Sequence, residues 1–244
     1  MTLLGYLTIA IVSVTLLYAS YKDFKTREIE DIVWVIPAGL GLLINFYKFY
    51  LDGFTGILLY VIGIIVTGAL AFAIYFAGLY GGADAKALLM VSIVDPFTTG
   101  PYKLHGLTGI TTFTNGMILS ASLPISLALW NMSKIISGEQ IFKGFEKEPL
   151  KRKIAAFFLG TRLADASRRK FWSPIEERDN GKKRFKFSIS IDDFEESRYD
   201  DAWVTPGIPL IIFFTVGYFV TVFIGDLTAL IVVSLSPSRQ LVHL

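Results

Sequence analysis

The chain has 244 residues, 53% of them hydrophobic, and a mean hydropathy of +0.55. That is too apolar for an ordinary soluble domain and points to an integral membrane protein. The formal net charge of +2 gives no basis for nucleic-acid binding, and the lack of cysteine excludes disulfides, thiolate metal sites and cysteine nucleophiles. Two histidines, His105 and His243, cannot build a zinc cage, so neither a metal nor a cofactor is expected.

Charge-free runs occupy residues 1–21, 32–47, 54–82, 87–94, 106–133 and 204–225, the last extending past Asp226 to residue 235. Set against a bilayer core of about 30 Å, they predict an all-α polytopic membrane protein of six transmembrane helices. Five helices fall within residues 1–136 and the sixth within 204–235. A polar insert covers 137–203 and a tail covers 236–244. The first run lacks a basic flank and a small-residue cleavage site, so it reads as a retained anchor. Residues 54–82 exceed one crossing and 87–94 fall short of one, so the glycine-rich break between them is expected inside the protein, where irregular backbone is tolerated.

Lys22, Lys25, Arg27 and Lys86 all fall on one side of this plan. The positive-inside rule then puts both termini outside and these loops in the cytoplasm. Trp34, Trp130, Trp203, Tyr47 and Tyr50 sit near run ends, as an interfacial belt would. His105 and Asp226 read as interfacial or paired polar groups.

The insert holds 15 of the 23 basic and 13 of the 21 acidic residues. Its apolar stretch 154–159, between the clusters 151–153 and 168–170, predicts an amphipathic helix on the anionic inner leaflet, with membrane lipids as its partner. Phe185, Phe187, Ile189 and Ile191 alternate with polar residues after Asn180-Gly181, a hairpin turn signal, so a small antiparallel sheet completes an α+β insert.

A carboxylate within a hydrophobic span is costly and is by default a functional candidate. Asp84 lies ten residues before Asp95, the far end of a short helix, and therefore within the bilayer depth. Asp23 closes the first run on the same side. Two carboxylates on different spans, reached from one face, are what an aspartyl protease needs: one ionised to activate water, the other protonated to polarise the scissile carbonyl. Relay of protons through the same acids in a transporter or channel is the alternative reading, although the six unequal runs show no inverted repeat.

Gly81-Gly82-Ala83-Asp84 resembles the GxGD signature of intramembrane-type aspartyl proteases, with Ala83 where the second glycine belongs. Asp23 to Ile29 reads Asp-x-x-x-Arg-x-Ile and is similar to the other aspartate motif of the type IV prepilin peptidase-like family, especially its archaeal preflagellin (prearchaellin) peptidases. Thr205-Pro206-Gly207-Ile208-Pro209 also resembles the archaeal members. No Pro-Ala-Leu motif of the presenilin type occurs, and the absence of cysteine argues against the methylating bacterial enzymes.

The resemblance implies catalysis by Asp23 and Asp84, with Gly81, Gly82, Ala83, Lys86 and Arg27 as motif and supporting residues. It also implies a substrate: a preflagellin or prepilin-like precursor with a short basic leader, cut at the cytoplasmic face. Glu28, Glu30 and Asp31 are candidates to hold that leader. Arg27 lies one helical turn beyond Asp23, which suits Asp23 as the general base and the deeper Asp84 as its protonated partner.

Overall fold

The computed structural model describes residues 2–179, 182–187 and 197–235. The Asn180-Gly181 turn, Ile189, Ile191 and the tail 236–244 lie outside the described residues. The chain is mostly helical. Four helical stretches are long and apolar enough to cross a membrane: Leu3–Thr26, Ile32–Leu51, Ile57–Phe76 and Thr108–Ile136. These form α1 (Leu3–Thr26), α2 (Ile32–Leu51), α3 (Ile57–Phe76) and, split by a turn at Ala121, α5 (Thr108–Ser120) and α6 (Ser122–Ile136). Between them lies α4 (Gly82–Val94), and beyond the insert come α8 (Leu210–Phe223) and α9 (Leu227–Leu235). At 13 and 14 residues, α4 and α8 are each roughly 20 Å long, short of a bilayer core.

The chain divides into two compact units, Met1–Ser120 with Pro209–Leu244, and Ala121–Ile208. In the first, α4 is the hub. Ala85, Ala87, Leu88, Met90, Val91, Ser92 and Val94 are buried, packed against α1, α2, α3, α5 and α8. This accounts for the short run 87–94: a helix enclosed by protein need not match the bilayer thickness. The break before it is internal too, with Tyr80 buried and its hydroxyl donating to the Ala71 carbonyl at 2.6 Å.

Helix contacts here rely on small residues, since lipid offers no hydrophobic drive to bring helices together. A Cβ on Gly217 of α8 would sit 2.7 Å from the Gly116 nitrogen and 2.9 Å from the Thr112 carbonyl oxygen of α5. Buried Asn115 ties the same region together. Its amide donates to Thr221 Oγ1 (3.0 Å) and the Gly225 carbonyl (2.8 Å), and its Oδ1 accepts from Leu227 N–H (2.9 Å). Gly225 breaks α8 from α9 at φ 102°, with Tyr102 O 2.0 Å from where a Cβ would stand, so only glycine fits. Asp226 then caps α9, accepting from Thr228 N–H at 2.8 Å, and faces His105 Nε2 at 4.0 Å, as a paired acid would.

Among its described residues the second unit contains α6, α7 (Leu150–Leu159) and five short strands: β1 (Thr161–Leu163), β2 (Trp172–Pro174), β3 (Glu176–Asp179), β4 (Lys182–Phe185) and β5 (Ala202–Pro206). The predicted amphipathic helix is present as α7. β3 and β4 form the predicted antiparallel hairpin, Asp179 opposite Lys182. Of the described alternating residues, Phe185 ends β4 and Phe187 follows it, because β3 starts at Glu176, opposite Phe185.

The apolar run from residue 204 opens as a strand rather than as a helix. β5 is the centre of an antiparallel sheet ordered β1-β5-β2, and Pro206 and Pro209 delay helix formation until Leu210. Two aromatics assigned to the interface are interior instead. Trp34 is buried in the helical core, and Trp203 in the insert core with Phe145, Phe185 and Ile141. Burying their large rings stabilises each core more than an interfacial position would.

Arg162 fastens the insert from one edge. It holds Asp201 through two 2.6 Å bonds and donates to the carbonyls of Gln140, Ile141 and Lys143. The guanidinium holds the Asp201 carboxyl below its ordinary range, and the carboxylate raises Arg162 in turn.

Candidate active site

Asp23 sits in the last turn of α1, three residues before the helix ends. The end is built by Arg27, which adopts the left-handed conformation (φ 60°, ψ 12°) and returns its N–H to the Asp23 carbonyl. The Arg27 guanidinium stands 3.6 Å from Asp23 Oδ2, the one-turn pairing expected from the spacing. After this reversal the chain passes into α2, which packs on α4. Ile29, the last residue of the first motif, and Ala83 of the second pack against the same cluster of Val12, Leu16, Ala19, Trp34 and Ala87.

Asp84 lies in the first turn of α4. Its Oδ2 accepts the Gly81 N–H at 3.0 Å, satisfying a donor that the helix start leaves open. Gly81 is extended (φ −76°, ψ 158°), and a Cβ on Gly81 or Gly82 would meet only ordinary contacts at 3.4 Å or more. Ala83, already helical, carries its methyl without backbone strain. Asp84 lies within electrostatic reach of Asp23 and Arg27. Two carboxylates from separate elements and one guanidinium thus share one end of the helical unit.

Lys86 does not act on Asp84. Its Nζ binds Asp31 Oδ1 at 2.5 Å, so one of the three acids expected to meet a basic leader is already engaged, while Glu28 and Glu30 are exposed. This link joins the turn after α1 to α4 across 55 residues. Sequence spacing carries no signal for it. A buried acid, Asp95, lies at the opposite end of α4, where it accepts from the Tyr218 hydroxyl at 2.8 Å. Among the described residues no group of three His, Asp or Glu side chains could hold a metal ion.

Residues 10–125 match the type IV leader peptidase family, a segment that contains both aspartate motifs. Over that segment the chain is similar to the type IV leader peptidases. It is similar to the preflagellin peptidase of Methanococcus voltae, 28% identical over 86% of this chain and 92% of the relative. The enzyme of that name from Methanococcus maripaludis matches at 28% with the same coverage. The one from Methanocaldococcus jannaschii is 29% identical over 88% of this chain and 92% of its own length. These matches cover 86–88% of the chain, more than the segment that the family match covers. The resemblance carried by the two motifs is thereby borne out, and the chain is a multi-pass membrane protein similar to these peptidases.

Proposed function

We propose that this chain is a GxGD-type aspartyl endopeptidase that removes the short basic leader from preflagellin or type IV prepilin-like precursors at the cytoplasmic face of the membrane. What supports the reading is that Asp23 and Asp84 lie at one end of the helical unit within electrostatic reach of each other, with Ile29 and Ala83 packed against one core. Kinship with preflagellin peptidases supplies the substrate class. In this reading α4 and α8 complete six crossings, both termini lie outside, and the two motifs face inward.

Asp23, beside Arg27, acts as the base. It takes a proton from a water whose oxygen attacks the scissile carbonyl carbon. Asp84, protonated, donates to the carbonyl oxygen as the tetrahedral intermediate forms. Transfer of a proton to the leaving nitrogen then breaks the C–N bond and frees the leader. Exposed Glu28 and Glu30 face the leader's cationic groups.

The test is incubation of the purified protein with a basic-leader precursor, comparing wild type with Asp23→Asn and Asp84→Asn. Each asparagine keeps size and polarity but cannot ionise, so cleavage falls below a few per cent while the protein stays folded. Substantial residual cleavage in either folded variant removes that residue from the mechanism.

A further inference from the structure

The insert leaves one face of α7 without a protein partner among the described residues. Ala156 is fully buried in the aromatic core of the insert, which fixes the inward side of the helix. On another side Leu150, Ile154 and Phe158, spaced four apart, form a stripe 72, 49 and 43% exposed. Exposed Lys151 stands next to the stripe, and the basic cluster continues through residues 152–153. Large apolar side chains lined up beside lysines form the pattern of a helix lying in the plane of a membrane interface.

The depth of α7 along the chain agrees. Asn131 of α6 donates from Nδ2 to the carbonyls of Phe157 (2.8 Å) and Gly160 (2.7 Å), and Thr205 of β5 donates to that of Leu159 (2.6 Å), so the C-terminal end of α7 is pinned to α6 and to β5. Asn131 lies within the Thr108–Ile136 span, five residues before its end. At 1.5 Å per residue the docking point is roughly 7.5 Å inside the last residue of that span. Interfacial helices bury their apolar face about 5–10 Å into the headgroup boundary. Trp130, exposed and with Lys134 5.9 Å from its ring centre, marks the same level as interfacial.

We infer that α7 is an in-plane anchor, its Leu150–Ile154–Phe158 stripe immersed in the acyl boundary and its lysines set among anionic lipid headgroups. The insert is then held flat on the bilayer by its own helix. The inference stands apart from the protease reading, since it involves neither aspartate.

The absence of native cysteine allows single labelling sites. A nitroxide on Ile154→Cys in the full chain is compared with one on Glu177→Cys, an exposed position of β3, both in nanodiscs of phosphatidylcholine with phosphatidylglycerol. Expected at residue 154 is a several-fold higher ratio of oxygen to nickel-chelate collisions than at residue 177, falling in phosphatidylcholine alone. An aqueous reading at residue 154, equal to that at 177, overturns the anchor. Equal immersion in both lipids overturns the role of anionic headgroups. Dipolar broadening between labels puts a second copy on the stripe and overturns the lipid assignment.

Discussion

Between α5 and α8 the backbones come close at Gly116 and Gly217, leaving no room for a side chain on Gly217, whereas the insert closes on stacked rings, Phe145 and Phe185 lying 4.3 Å apart. The polar groups differ in the same way. The buried interior of the helical unit uses single side chains that satisfy backbone, such as Asn115 and Asp226, its charge pairs Arg27–Asp23 and Lys86–Asp31 standing at one end. The insert pairs charges with charges, as in Arg162 with Asp201. The difference follows from the solvent. Water drives large apolar side chains inward, while a bilayer does not, so helices in lipid gain from close van der Waals contact and from hydrogen bonds with no competing water.

The largest effect is expected in the insert. Phe185→Ala removes a fully buried ring and costs about 3–5 kcal/mol of the insert's stability. Hydrogen exchange followed by mass spectrometry should show faster exchange across residues 137–203, with α1 to α5 unchanged. Equal acceleration in both units would erase the distinction between them. In the helical unit Gly217→Ala forces a methyl against the Gly116 backbone, at about 1–3 kcal/mol. It should lower the midpoint of thermal inactivation in detergent and speed exchange in α5 and α8 alone.

These sites also show what the sequence could and could not disclose. The aspartate motifs, the internal break before 87–94, α7 and the β3–β4 hairpin were legible, because each rests on local spacing or a short pattern. The β1-β5-β2 sheet was not. Its strands are three to five residues long, and β5 merges without a charge into α8, so hydropathy reads the two as one crossing. The turn at Ala121 is hidden for the same reason, since a local break changes no hydropathy. Asp31 looked available to a substrate because its partner, Lys86, is distant in sequence and the contact exists only in the fold.

The smallest expected effect is a pH dependence confined to the insert. Asp201 is held below its ordinary carboxyl range by Arg162. Its contribution is therefore complete above the unfolded value, near 3.9, and is lost as pH falls through the lower folded value. Exchange in residues 137–203 should quicken at the acid end of that window in wild type. Asp201→Asn, with no charge to lose, should exchange slightly faster at neutral pH and show no further acid-dependent step. An identical acid step in both would shift the cause to another carboxylate.

Enclosure of α4 also bears on how the protein is made. A 13-residue helix carrying Asp84 and Lys86, with every wall supplied by other helices, has no stable resting place alone in lipid. One of those walls is α8, which contributes Ile211, Phe214 and Tyr218 to the cores around α4 and leaves the ribosome only after the whole insert. Until α8 arrives, the cage around the Asp84 helix is incomplete. A nascent chain halted within the insert thus carries both acidic motifs but not the enclosure that holds them together.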